Sequence, residues 1–229
     1  MKLSDRDLQI IRFAARFGQV TKQHVRAVIF ADNVSATPCD RAMKRLVDQR
    51  LLARIEIRTV GGANGGSGQY VFQVGSAGWN LAETEGSYWL SKSVKYHSLA
   101  IADIYCDIYN KLDIVTYSTE PDTHEKINYV AIQPDMYVVL NLAGRERRAW
   151  IEADLGTERP KQLRDKMARY NHAWNGAPER WNPWPFVIWI VPDVKRRAEL
   201  ESLIKLEPAE SQGMYRVCLF EDVVQTLAS

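Results

Sequence analysis

The run Phe-Val-Ile-Trp-Ile-Val at residues 186–191 constrains the fold more than any other stretch. Six consecutive apolar residues leave a strand no polar face, so other elements must cover both of its sides. Around it the periodicity alternates in type. "DIVTYS" (113–118), "MYVVLNL" (136–142) and "RRAWIEADL" (147–155) read as strands, with "GRER" (144–147) as the tight turn between the last two. "PKQLRDKMARYNHAW" (160–174) reads as a helix opened by Pro160. Its sheet-facing stripe is Leu163, Met167, Tyr170 and Trp174. "VKRRAELESLIKL" is a second helix and "YRVCLF" a last strand. A long helix over about 92–112 precedes them all, with Tyr96, Leu99, Ala100, Asp103 and Ile104 at helical intervals. Helix, three strands, helix, strand, helix, strand predicts an α/β sandwich around a mixed sheet.

Against this apolar sheet stand three carboxylates. "IQPDMYVVL" puts Asp135 at the mouth of one strand, and "WIEADLGTE" puts Glu152 and Asp154 two apart in the next. Side chains alternate along a strand, so Glu152 and Asp154 share a face. An unpaired buried carboxylate is costly, so each needs a partner. Arg147, Arg148, Arg164 and Lys166 are the cations within reach by sequence; a metal ion is the other choice.

The first sixty residues have another character. "SDRDLQIIRFAARFGQV" starts a helix at Ser4, with Asp7 three later and Ile10, Phe13, Ala14 and Phe17 on one face; Gly18 ends it. "TKQHVRAVIF" repeats the pattern behind Thr21, with Val25, Val28 and Ile29 inward. In "TPCDRAMKRLVDQR", Thr37 reads as the cap and Pro38 as the first helical residue. Cys39, Met43, Leu46 and Val47 face inward there, while Arg41, Lys44, Arg45 and Asp48 face out. "LLARIEIRTV" and "QYVFQV" alternate as strands, and "GGANGGSG" (61–68) between them makes a hairpin with a mobile tip. That loop lacks a following Lys-Ser/Thr and precedes a strand, so it is no phosphate-binding loop.

Charge divides along the chain. Residues 1–60 carry 12 Lys+Arg against 6 Asp+Glu, and residues 98–229 carry 16 against 20. A basic end attracts phosphate backbones. Cys39, Cys106 and Cys218 are too scattered for a zinc site and read as buried thiols. No run approaches a membrane span, and "MKLSDRDLQI" has no apolar signal region, so a cytoplasmic protein with no membrane partner is expected.

Three helices and a glycine-tipped hairpin resemble a winged-helix DNA-binding domain, placed at 1–90. The resemblance implies a third helix in the major groove of double-stranded DNA, with Arg41, Lys44 and Arg45 on phosphates or bases and Arg54 and Arg58 beside the wing. The element order over 91–229 resembles the PD-(D/E)xK nuclease superfamily, a three-layer α/β fold. That resemblance implies Mg²⁺ or Mn²⁺ held by Asp135, Glu152 and Asp154, where an ion polarises phosphate and activates water. Asp154 stands where that pattern has its lysine, and Lys166 on the following helix is the substitute. The catalytic set would be Asp135, Glu152, Asp154 and Lys166. Together, "YHSLAIADIY", "PDMYVVL" and "WIEADLGTERPKQLRDKMARY" resemble the replication-relaxation family of plasmids, conjugative elements and phages, through Glu152, Asp154, Gly156, Thr157, Glu158, Lys166 and Tyr170. The expectation is a mobile-element DNA-binding protein that nicks or cuts with Mg²⁺. The alternative is a non-catalytic regulator or platform that recruits replication or mobilisation proteins, in either case with scope for a homodimer.

Overall fold

The computed structural model describes residues 3–58, 68–82 and 86–229, the side chains of 56–58 excepted. The chain divides into two compact units, Met1–Cys106 and Asp107–Ser229.

In unit 1, helix α1 (Asp5–Phe17) begins at a capping box: the Asp7 backbone N–H donates to Ser4 Oγ and the Ser4 N–H to the Asp7 carboxylate. It ends at Gly18, whose φ of 71° suits a residue without a Cβ. Strand β1 (Val20–Thr21) leads into α2 (Lys22–Ile29), capped by Thr21, with His24 closing a second capping box through Nδ1. Helix α3 (Thr37–Asp48) starts one residue earlier than expected: Thr37 is its first residue, and Ala36 holds the cap position without a side-chain bond. Strands β2 (Leu52–Arg58) and β3 (Gln69–Val74) pair antiparallel, and β1 joins β3 in the order β1-β3-β2. Residues 61–67 of the expected wing lie outside the described residues, and with them its mobile tip. Ile10, Ile11, Ala14, Val25, Cys39, Met43 and Leu46 fill the core at the spacings their helices require. Helix α4 (Tyr96–Lys111) contributes Tyr105, which packs on Phe13 and Phe17, and Asp103, bonded to buried His24 at 2.7 Å. Residues 96–106, which the sequence assigns to the second domain, thus group with unit 1.

Unit 2 holds β4 (Ile114–Thr119), a small hairpin β5 (Glu125–Ile127) and β6 (Val130–Ile132), then β7 (Met136–Leu142) and β8 (Arg145–Ala153). Helix α5 (Pro160–Asn175), β9 (Phe186–Val191), α6 (Val194–Ile204), α7 (Ala209–Gln212), β10 (Tyr215–Leu219) and α8 (Val223–Ala228) follow. The sheet order is β10-β9-β8-β7-β4, with β4, β7 and β8 antiparallel and β8, β9 and β10 parallel. This is the mixed sheet expected; β5, β6, α7 and α8 carry no strong periodicity and were not foreseen. The turn before β8 is tighter than "GRER": Ala143 and Gly144, at φ of 52° and 83°, make a two-residue hairpin, so Arg145 is already strand. On one face of the sheet, Trp150, Val187, Trp189 and Val191 pack under Leu163, Met167, Tyr170 and Ala173 of α5 and Leu200 and Leu203 of α6. The opposite face, with Met136, Val138, Leu140, Ile151, Ile188 and Ile190, is buried as well. Every residue of the run 187–191 is buried, as its composition demands. Among the described residues no helix is long and apolar enough to cross a membrane.

Candidate functional site

Strand register puts the carboxylates together. Met136 pairs with Ile151, so Asp135 lies across from Glu152 at the entry of β7. The Asp135 N–H donates to the Ile151 carbonyl at 3.1 Å, and its Oδ2 accepts the Ala153 N–H at 2.7 Å. Its carboxylate thus caps the end of the β8 ladder. Glu152 is 1% exposed and faces α5. There Lys166 and Tyr170, one helical turn apart, reach it together: Lys166 Nζ donates to Oε2 at 2.9 Å and the Tyr170 hydroxyl to Oε1 at 2.6 Å. Lys166 also donates to Glu158 Oε1 at 2.8 Å and sits over the Trp189 ring.

Asp154, two residues on, has a different partner. Arg196 Nε donates to its Oδ2 at 2.6 Å, and the Gly156 N–H to its Oδ1 at 2.7 Å. Gly156 takes a φ of 79°, which lets the chain fold back on the carboxylate. Arg196 is buried too; it donates to the Glu158 carbonyl at 2.6 Å and to Glu199 at 2.7 Å. Its position is set by Asp193, whose side chain caps α6 by accepting the Arg196 N–H at 2.8 Å.

The electrostatics follow from burial. Desolvation pushes the Glu152 carboxyl up to about 7; Asp135 pushes it the same way, while Lys166 and Tyr170 pull it down. Burial disfavours the Lys166 ammonium, but Glu152 and Glu158 more than offset that and hold it protonated. Tyr170 is pushed well up by burial and by Glu152, so it stays a donor. Arg196 is likewise held charged by Asp154 and Glu199. Among the described residues no three His, Cys, Asp or Glu side chains form a group able to hold a metal ion. The cysteines are free and buried, as read, and burial pushes the Cys39 and Cys218 thiols up to about 11.

The basic residues of unit 1 separate into classes. Arg41 and Lys44 lie exposed on α3, with Lys44 bonded at 2.6 Å to exposed Asp48. Arg45, predicted beside them, pairs with the buried Asp7 while its own side chain stays 41% exposed. Burial opposes charge on Asp7, but Ser4 and Arg45 together hold its carboxyl below the usual range. Arg54 is exposed and stacks over Tyr70 at 4.4 Å. The Arg58 side chain lies outside the described residues.

Of the residues that hold the carboxylates, Lys166 was legible as the one lysine flanking the α5 stripe. The sequence places Tyr170 in the sheet-facing stripe and among the residues of the family resemblance, without a carboxylate partner, and it gives Arg196 no role. Nothing in "DVKRRAEL" distinguishes Arg196 from Lys195 or Arg197, except that the cap at Asp193 places it at the third helical position.

A family model described as replication-relaxation matches residues 11–183. No curated protein and no solved structure matches the chain.

Proposed function

The chain belongs to the replication-relaxation family, which supports a role in the replication or relaxation of plasmids or mobile elements, and on that premise we propose that it binds double-stranded DNA through unit 1 and that unit 2 is a non-catalytic platform for replication or mobilisation proteins. The three helices and paired strands of unit 1 have the order of a winged helix. With Cys39, Ala42, Met43 and Leu46 buried, α3 turns Arg41 and Lys44 outward, as a groove-entering helix must. Arg54 on β2, preset by its ring contact, offers a further backbone contact on unit 1.

The observation that carries the platform reading is the occupancy of the carboxylates. Lys166 and Tyr170 take one oxygen each of Glu152, and Arg196 takes Asp154. Magnesium requires open carboxylate oxygens in near-octahedral array, and an oxygen already accepting a short bond from a buried donor is a poor ligand. Asp135, Glu152 and Asp154 as arranged therefore do not fit that ion. The cluster instead ties β7, β8, α5 and α6 together, which suits a rigid platform. One feature favours the nickase reading: Asp135 faces Glu152 across the strands, with Lys166 supplied from α5, as the nuclease-like pattern with a displaced lysine would have it.

One experiment separates the two. Binding of a labelled 30-base-pair duplex is followed by anisotropy for wild type and R41A/K44A, and supercoiled plasmid is incubated with wild type, D135N and E152Q in Mg²⁺ or Mn²⁺. The proposal expects weakened binding by R41A/K44A and no metal-dependent nicking. Nicking lost in both D135N and E152Q would replace the platform with a nuclease; unchanged affinity in R41A/K44A would remove α3 as the reader.

A further inference from the structure

Unit 2 carries 16 Lys+Arg against 19 Asp+Glu, and several of its basic residues are paired with acids. Arg148 pairs with Glu146, Arg180 with Glu125, Arg196 with Asp154 and Arg197 with Glu201. At one end of the sheet two arginines instead share one aromatic ring. Arg147 on β8 and Arg216 on β10 both stack on Phe186 of β9, their guanidinium carbons 5.4 and 4.7 Å from the ring centroid. Register explains the meeting. Phe186 pairs with Ala149, two residues from Arg147, and Arg216 pairs with Ile188, two residues from Phe186, so all three share a face. Arg145, exposed and two residues before Arg147, lies on that face too. Among the described residues none of these three arginines has an ion-pair partner.

Two guanidiniums on one ring repel each other, because their separation cannot exceed the sum of those two distances, about one Debye length at 0.1 M salt, ~10 Å. Among the described residues no acidic side chain pairs with either, so the pair is open to an anion from outside. The one ring holds both arginines by their faces, which leaves N–H groups at their edges for oxygens. Arg216 is further steadied by donating Nη1 to the Gly213 and Tyr215 carbonyls at 2.7 Å each. Cations spread over two non-adjacent strands suit a polymer with a charge on every unit better than a peptide with occasional carboxylates.

We propose that Arg147 and Arg216, preset by Phe186, form with Arg145 a second DNA-backbone contact on unit 2. The proposal rests on the reading of the protein as a DNA binder but not on α3. It assigns unit 2 a share of the affinity, in a unit whose net charge would otherwise repel DNA.

The test uses the full chain and a labelled duplex between 50 and 300 mM NaCl, with wild type, R147A/R216A, R147K/R216K and R41A/K44A. Each lost phosphate contact flattens the log–log salt slope by about 0.9, so R147A/R216A should lose about 1.8 and bind at least tenfold more weakly at 50 mM. The lysine pair keeps the charges and should keep the slope. R41A/K44A should lose a comparable amount independently. Unchanged slope and affinity in R147A/R216A overturn the second contact and leave the α3 reading standing. Equal losses in the lysine and alanine pairs also overturn it, because they trace the effect to packing on Phe186. If R41A/K44A is unchanged while R147A/R216A loses affinity, the α3 reading falls and this contact stands. A wild type that binds no duplex at 50 mM ends both. A stable complex with a poly-glutamate peptide, and none with duplex, replaces the nucleic acid with an acidic protein.

Discussion

Arg196 and Lys166 hold two buried carboxylates in different ways, and substitutions should show it. Among the described residues Arg196 is the one cation paired with Asp154, and both are nearly closed to solvent. Arg196→Met should therefore strand a buried charge and cost about 3–5 kcal/mol in urea unfolding. Glu152→Gln is milder, because Lys166 keeps Glu158 and the Tyr170 hydroxyl keeps an amide oxygen as acceptor; a cost of about 1–3 kcal/mol is expected. Glu152 also sets a pH dependence. Its carboxyl sits at about 7 in the fold against 4.5 as an ordinary glutamate, so the folded state holds the proton more tightly. That contribution is complete below the unfolded value and is lost as pH rises through about 7, a change on the order of 2–3 kcal/mol. Lys166, held protonated far above this window, adds no slope within it. Unfolding free energies measured from pH 4.5 to 8 should fall for wild type relative to E152Q; parallel curves would place Glu152 in an ordinary environment.

At the scale of elements, α3 presents two kinds of arginine from one helix. Arg41 points outward, while Arg45, one turn later, ties α3 to the start of α1 through Asp7. Arg45→Ala should cost about 1–3 kcal/mol of stability, since Asp7 keeps only its Ser4 bonds. It should leave the salt slope of DNA binding within error of wild type, whereas R41A/K44A should do the reverse. A flattened slope for R45A, without loss of stability, would return Arg45 to the DNA face. The loop after β8 depends on Gly156, which is left-handed and donates to Asp154. Gly156→Ala should cost about 1–2 kcal/mol, read as a lower melting temperature, because a Cβ crowds the carbonyl there.

For the molecule as a whole, the charge balance divides labour between the units. Residues 1–60 carry an excess of six positive charges, and unit 2 an excess of three negative ones. DNA affinity is accordingly expected to be governed by a few discrete cationic patches and to fall steeply with salt. Metal should matter little. An ion bound at 100 times its dissociation constant would stabilise the fold by about 2.7 kcal/mol. Millimolar Mn²⁺ is expected to leave the melting temperature unchanged; a clear rise, abolished in D135N, would show a site.

The order of elements was legible because each bears its own period: the unbroken apolar run of β9, the alternation in β2 and β3, the capping box at Ser4 and Asp7. These are local properties that every sequence window carries. The meeting of Asp135, Glu152 and Lys166 was also within reach, because a short hairpin and the helix stripe leave few registers. The sequence did not determine which cation each carboxylate takes. Arg147 and Arg148 lie nearest Glu152 along the chain, yet alternation turns Arg147 to the other face, Arg148 pairs with Glu146, and the crossover through α5 carries Lys166 to the carboxylate. Arg196 reaches Asp154 only because β9 lies beside β8, so that α6 starts next to the loop after β8. The Arg147–Phe186–Arg216 stack likewise needs three strands in parallel order, β8-β9-β10. Ion pairing depends on distance in space at the ångström scale, and side chains 42 or 69 residues apart acquire that distance only when the sheet sets its neighbours.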